Sequence, residues 1–150
     1  MPVLGIDLLQ GEAVVLYHVN FHTLRNMPIF EQVPYDRMTR ECLPEVLRRH
    51  KVVCLAWEIM PTHIHMIIED FPDFPRPTIL KYVKGSTSHA FFAKYPGLRG
   101  DLLGGHLWTA GYYFVAIRTH RQLLSTLNYV RTNRTQSDLS PPEPLEASQQ

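Results

Sequence analysis

The triplet His63-Ile64-His65, embedded in the apolar run that spans residues 58–69, constrains this chain more than any other feature. In an extended strand alternate side chains share a face, so His63 and His65 project together while Ile64, Met66 and Ile68 point the other way. Two imidazoles are thereby aimed at one spot. The pattern suits a divalent cation, because neutral imidazole is the commonest protein ligand for such ions. A plainer reading stands beside it, since histidines on half-buried strands also serve as polar side chains that have found hydrogen bonds. The rest of the chain has to decide between the two.

The length, 150 residues, fits one ordinary domain with a single core. No apolar run approaches the ~20 residues that cross a bilayer, and the amino terminus lacks a basic start followed by a long apolar stretch, so a cytoplasmic protein is expected. Cys42 and Cys54 form no CxxC pair and are expected to be reduced, packed thiols. Formal charge is only +1, but residues 135–150 carry Asp138, Glu143 and Glu146 and no Lys or Arg. Residues 1–134 therefore hold 15 basic against 11 acidic groups, a net +4. That balance permits phosphate binding without requiring it.

Periodicity divides the chain into seven elements. Residues 13–23, rich in β-branched and aromatic side chains, read as a first strand. From Pro34 to His50, Met38, Cys42, Leu43, Val46 and Leu47 recur at helical spacing, with Arg37, Arg40, Arg48 and Arg49 on the wet face and Pro44 expected to kink or interrupt the helix. Residues 51–60 and 62–69 read as two strands joined at Pro61 in a tight antiparallel hairpin. Thr78 is the expected cap of a second helix whose inner face carries Ile79, Leu80, Val83, Ala90 and Phe91. Gly85 lies in its middle, where either the helix breaks or something packs close to the backbone. A turn-rich loop from Gly97 to Gly105, a last strand over 106–118 and a last helix over 119–134, with Leu123, Leu124, Leu127 and Val130 apolar, complete the domain. Residues 135–150 are expected to be disordered.

This order predicts an α+β fold: a four-stranded antiparallel sheet of ferredoxin-like or RRM-like plan, two helices on one face and the last helix free to cover the other. That last helix places Tyr129 and Asn133 four residues apart, on one side. A phenol with a free pKa of about 10 attacks phosphorus poorly unless charge at the phosphate is neutralised. A cation held by His63 and His65, with the Asn133 carbonyl as a third ligand, would supply that neutralisation. Tyr82, with Ser86 four residues on, is the closest rival nucleophile.

Four ordered motifs now carry a resemblance. His63-Ile64-His65, the block Lys84-Gly85-Ser86-Thr87-Ser88, the stretch from Gly104 to Phe114 containing Trp108, and Tyr129 resemble those of the single-tyrosine HUH transposases, the small enzymes of simple bacterial insertion sequences and REP-associated elements. The resemblance runs from about Tyr17 to Arg134. Two positions depart from the commoner pattern, Asn133 where many members carry Gln and Thr62 where many carry an acidic or amide residue. Asn133 is similar to the REP-associated branch, the Gly-Gly-His-Leu-Trp strand to the insertion-sequence branch.

The resemblance implies a single domain over residues 1–134 that cuts and rejoins single-stranded DNA beside hairpins. The nucleophile Tyr129 becomes linked to a 5′ phosphate, with Mg²⁺ or Mn²⁺ on His63, His65 and Asn133. It also implies a homodimer acting in the bacterial cytoplasm, at the nucleoid. Ser86 and Ser88 of the family-like block are candidates for contacts to DNA by that resemblance; read from the residues alone, Lys81 and Lys84 are candidates for contacts to phosphates, and Trp108, Tyr112 and Tyr113 for stacking on bases, although strand aromatics are more often core. The competing expectation is a non-catalytic protein that binds single-stranded or hairpin DNA and derives from such an enzyme. A metallohydrolase is weaker, because no Asp or Glu obviously accompanies the histidines as a base.

Overall fold

The run Val-Leu-Tyr-His-Val-Asn-Phe-His at residues 15–22 is both the most strand-prone segment and the centre of the sheet. The computed structural model describes residues 6–7, 12–101, 105–134 and 146–148. Two short strands, β1 (Ile6–Asp7) and β2 (Glu12–Ala13), pair with each other ahead of β3 (Val15–His22). There follow α1 (Val33–Arg49), β4 (Cys54–Ile59), β5 (His63–Asp70), α2 (Arg76–Lys94), the single turn α3 (Leu98–Asp101), β6 (Tyr112–Ile117) and α4 (His120–Thr132). The main sheet has the order β4-β5-β3-β6 with every neighbouring pair antiparallel, the arrangement of a split βαβ fold. The expected α+β plan is what the chain adopts.

Of the expected disordered tail, most lies outside the described residues. Its described part, β7 (Glu146–Ser148), pairs with Tyr112, Tyr113 and Phe114 along the β6 edge.

Alternation along β3 and β5 separates two faces. Val19, Phe21, Ile64, Met66 and Ile68 enter one core with Leu43 and Leu47 of α1 and Ile79, Leu80, Val83 and Phe91 of α2. On the opposite face Leu16, Ile67 and Ile117 meet Val130, with Leu123, Leu127 and Tyr129 packed around them, so α4 crosses the side that α1 and α2 leave open. Thr119 caps α4 by accepting from the Gln122 amide at 3.1 Å, and the Gln122 side chain reaches back to the Arg118 amide. Arg134 then pins the far end, donating to the Phe30 carbonyl at 3.2 Å and to the Ile59 carbonyl and lying 3.4 Å from Asp36. The helix bearing Tyr129 is thus docked on its own sheet.

Several local expectations are corrected. α1 runs through Pro44 without a break; the proline sits on its exposed side, and Leu43, Val46 and Leu47 hold the turns around it by burial. Arg40 is not on a wet face, since it donates to Asp36, Glu58 and the Ile59 carbonyl. Thr78 does not cap α2, which begins at Arg76 with the Asp70 carboxylate accepting the Arg76 amide at 2.9 Å. Pro77 is tolerated there because amides in the first turn have no intrahelical partner. The last strand is shorter than expected. Gly111, at φ +80°, separates Tyr112–Ile117 from the Trp108 segment, which joins the sheet through a bridge to Thr23. Among the described residues no helix is long and apolar enough to cross a membrane.

α2 also runs unbroken through Gly85, although a mid-helix glycine costs about 1 kcal/mol relative to alanine. A methyl group placed on Gly85 would meet no atom of the described residues within 4 Å beyond its chain neighbours and its own helix backbone. The helix does not break there, and among the described residues no neighbour from another element packs against that glycine.

Candidate active site

Antiparallel register sets Asn20 of β3 beside His65 of β5 and His22 beside His63, so the alternate residues His18, Asn20 and His22 share a face with the histidine pair. The two strands thus put four imidazoles and an amide on the side covered by α4.

Close nitrogen contacts join them. His65 Nδ1 lies 2.9 Å from His18 Nε2, and His63 Nδ1 lies 2.9 Å from the Thr62 hydroxyl. The remaining nitrogens, His63 Nε2 and His65 Nε2, face each other at 3.1 Å. Two ligands at right angles on one ion with bonds of about 2.1 Å stand about 3 Å apart, so this separation fits a shared cation. For both Nε2 lone pairs to point at an ion, each ring must carry its proton on Nδ1, where Thr62 and His18 accept it. His22 stacks on His63 with centroids 4.5 Å apart and is itself tied to Asn26 through Nδ1 at 2.8 Å.

Burial keeps these rings neutral. His65 is completely buried and its pKa falls well below the ordinary 6.5, first by desolvation and then by the neighbouring imidazoles. Desolvation likewise brings His18 to about 4. His63 also falls to about 4, with His22 and His18 adding to the effect of burial. Neutral imidazole is the ligating form.

An amide oxygen is one group that could complete a cation site on this face. Among the described residues no set of three His, Cys, Asp or Glu side chains is arranged to hold one ion. Cys54 packs into the helix-side core, where burial pushes its thiol up to about 12. Glu58 stands opposite His65 in register, but its carboxylate is engaged by Arg40 at 2.5 Å. Asn133, the residue following α4, is buried at the end of the tyrosine helix. Asn20 offers a second amide: its Oδ1 is buried with no hydrogen-bond partner among the described residues, an orphaned carbonyl that a cation would satisfy.

Tyr129 is brought to this cluster. Its ring packs edge-on against His65, centroids 5.5 Å apart, and against His18 at 5.9 Å. The rival Tyr82 stacks on His50 at 4.9 Å from α2, on the other side of the sheet, and is no part of the site.

The residues expected to contact DNA separate into groups. Lys81 is exposed on α2. Lys84 is half-buried, donates to the Thr109 and Gly111 carbonyls at 2.9 and 2.6 Å, and is lowered by desolvation to about 8. Ser86 is bonded to His50, and Ser88 lines a cavity beside α2. Trp108 and Tyr112 do not offer ring faces to bases. Trp108 is 7% exposed, set edge-on against Phe21 and bonded to Thr87, while Tyr112 is 3% exposed with its hydroxyl on Arg76. The exposed aromatic at the histidine site is Tyr113, 42% exposed, whose ring meets His22 edge-on at 5.7 Å. Strand alternation explains the exchange, because Tyr112 and Tyr113 necessarily face opposite sides.

His18, Asn20, His22 and Thr62 were missed as members of this cluster. A signal for the first three existed: His18-Val-Asn20-Phe-His22 repeats on β3 the same polar alternation that made His63-Ile64-His65 conspicuous on β5.

The chain is similar to known transposases. The family described as "Transposase IS200 like" matches residues 13–133. The ISDra2 transposase TnpA of Deinococcus radiodurans is 24% identical over 118 residues, covering 77% of this chain and 84% of that protein. The solved structure of a REP-associated tyrosine transposase bound to a REP hairpin superposes with a TM-score of 0.62 at 18% identity, covering 86% of this chain and 71% of that one, a likeness of fold. With the family's match spanning most of the domain, and its histidine strand and tyrosine helix meeting in space, the chain belongs to the IS200-like transposases.

Proposed function

We propose that this transposase cleaves and rejoins single-stranded DNA beside hairpins through a 5′-phosphotyrosine intermediate. The observation that carries the reading is the convergence of His63 Nε2 and His65 Nε2, 3.1 Å apart, beside the ring of Tyr129. A divalent cation bound by His63, His65 and Asn133, Mg²⁺ or Mn²⁺, would neutralise charge on a non-bridging phosphate oxygen. His18 and Thr62, each 2.9 Å from an Nδ1 of the pair, would hold the two imidazoles in the ligating tautomer by accepting the Nδ1 protons. The Tyr129 oxygen attacks phosphorus, losing its proton; the bond to the 3′ oxygen breaks, and that oxygen leaves as a hydroxyl after taking up a proton. Attack by a 3′ hydroxyl on the phosphotyrosine reverses the step and restores the phenol. One phosphodiester is exchanged for another, so no nucleotide cofactor is consumed.

The assembly that fits this chemistry is a homodimer working on DNA with hairpin ends in the bacterial cytoplasm. Placement of Tyr129 over its own sheet supports action within one protomer.

The test is incubation of the protein with labelled single-stranded DNA containing short hairpins, in Mg²⁺, Mn²⁺ or EDTA, followed by denaturing electrophoresis. A metal-dependent covalent adduct is expected, and its loss in Tyr129→Phe with binding retained would identify the nucleophile. An adduct that persists in Tyr129→Phe would sink the assignment, and binding without any adduct would favour the non-catalytic, DNA-binding alternative.

A further inference from the structure

Asn20 is 4% exposed, and its Oδ1 has no hydrogen-bond partner among the described residues. A buried carbonyl oxygen without a donor opposes folding, and asparagine is a residue that strands disfavour. The chain nevertheless carries it in β3, the strand paired on both sides, where it stands opposite His65 of β5 and Tyr113 of β6. Pairing on both edges leaves the backbone no freedom to carry that oxygen out to water.

We propose that Asn20 Oδ1 is a ligand of the divalent cation that His63 and His65 face, an assignment that rests on the metal-dependent strand-transfer reading above. Directly opposed residues of antiparallel strands have Cβ atoms about 5 Å apart, and Asn20 and His65 are so opposed, on one face. Neighbouring imidazole nitrogens are engaged elsewhere: His18 Nε2 with His65 Nδ1, His22 Nδ1 with Asn26 and His63 Nδ1 with the Thr62 hydroxyl. What β5 offers a cation is the pair of Nε2 atoms, 3.1 Å apart. An amide oxygen on the adjoining strand adds a hard, neutral donor of the kind that Mg²⁺ and Mn²⁺ accept.

The chain's other three asparagines are placed differently. Asn26 Oδ1 already accepts from His22 Nδ1 at 2.8 Å, Asn128 is exposed on α4, and Asn133 is buried just beyond the end of that helix. Asn133 depends on α4 staying docked, whereas His63, His65 and Asn20 belong to one sheet. With Asn20 the sheet alone supplies three donors, so cation binding does not wait on the position of the tyrosine helix.

The experiment is calorimetric titration of Mn²⁺ into the full-length protein without DNA, for the parent, Asn20→Leu, Asn20→Asp and His63→Ala. Asn20→Leu exchanges the orphaned carbonyl for an apolar group of similar volume, so in metal-free buffer it should melt no lower than the parent. It should bind Mn²⁺ roughly tenfold or more weakly, and Mn²⁺ should raise its melting temperature less than the parent's. Asn20→Asp, which keeps an oxygen at the same reach, should restore binding. Parental Mn²⁺ affinity in Asn20→Leu, or a loss that Asn20→Asp does not restore, would overturn the assignment, while loss of binding in His63→Ala would leave the metal-dependent reading standing. A parent that binds no Mn²⁺, or His63→Ala that binds it as the parent does, would overturn both. If Asn20→Leu does not fold, Asn133→Gln grown on asparagine isotope-labelled at the side-chain carbonyl carbon decides, because Asn20 is then the one buried asparagine carrying label. Magnetic coupling of that carbon to bound Mn²⁺ is expected, and its absence would overturn the assignment.

Discussion

The two faces of the β3–β5 pair divide sixteen residues between them and do opposite work. On the helix side Val19, Phe21, Ile64, Met66 and Ile68 are sealed under α1 and α2, and their contribution is burial. On the α4 side His18, Asn20, His22, His63 and His65 form a polar cluster beside a smaller apolar group, the buried Leu16, Ile67, Ile117 and Val130 with the partly buried Leu55, Ala56, Leu123, Leu127 and Tyr129 around them. Desolvating so many imidazoles opposes folding when they must protonate. The site is therefore tolerable because the other face is well packed, and a change of one position in register would exchange the two roles.

Neighbouring substitutions sharpen that contrast. His65→Ala removes one converging nitrogen and should reduce covalent adduct formation by roughly a thousandfold or more, with the fold retained by circular dichroism. Ile64→Ala, one residue away, should do the reverse. Deleting a fully buried side chain costs about 2–5 kcal/mol in chemical denaturation, while adduct formation per folded molecule stays near the parent value. Equal effects on stability and chemistry from both variants would abolish the distinction between the faces.

Smaller effects follow from the hydrogen bonds behind the ligands. His18→Ala leaves His65 Nδ1 without its acceptor and should weaken Mn²⁺ binding, measured by calorimetry, by about 10- to 100-fold. An unaltered Mn²⁺ affinity would show that burial alone orients His65. Acidity should also act through this face. His18 and His63 titrate near 4 in the folded protein and near 6.5 when unfolded, so between those values the unfolded chain binds more protons. Their contribution is fully present above about pH 6.5 and is lost as pH falls towards 4. Thermal melting in metal-free buffer should accordingly drop across that window. A melting temperature that instead holds steady or rises on acidification would mean the rings are already charged in the fold.

Legibility differed in kind between the faces. His63 and His65 could be read as a pair because strand periodicity alone places them together, and the Tyr129–Asn133 spacing was visible on a helix for the same reason. Trp108 and Tyr112 were candidates for stacking because their identity suits it; their burial depended on Phe21, Thr87 and Arg76, which lie far away in the chain. Thr78 had the right chemistry for a cap, yet Asp70 on the preceding strand took the role through a contact no propensity encodes. Pro44 should have disturbed α1, and burial of the residues around it prevailed.

Sequence by itself determined the element order, the antiparallel hairpin, the sharing of one face by two histidines and the helix that carries the tyrosine. These are consequences of periods of 2 and 3.6 residues, which are local. Tertiary structure decided that β3 would bring His18, Asn20 and His22 into register with that pair, that Thr62 and His18 would hold the two rings, and that Arg134 would fasten α4 over them. Those outcomes rest on pairing between strands more than 40 residues apart and on where buried polar groups found partners, which only the assembled sheet fixes.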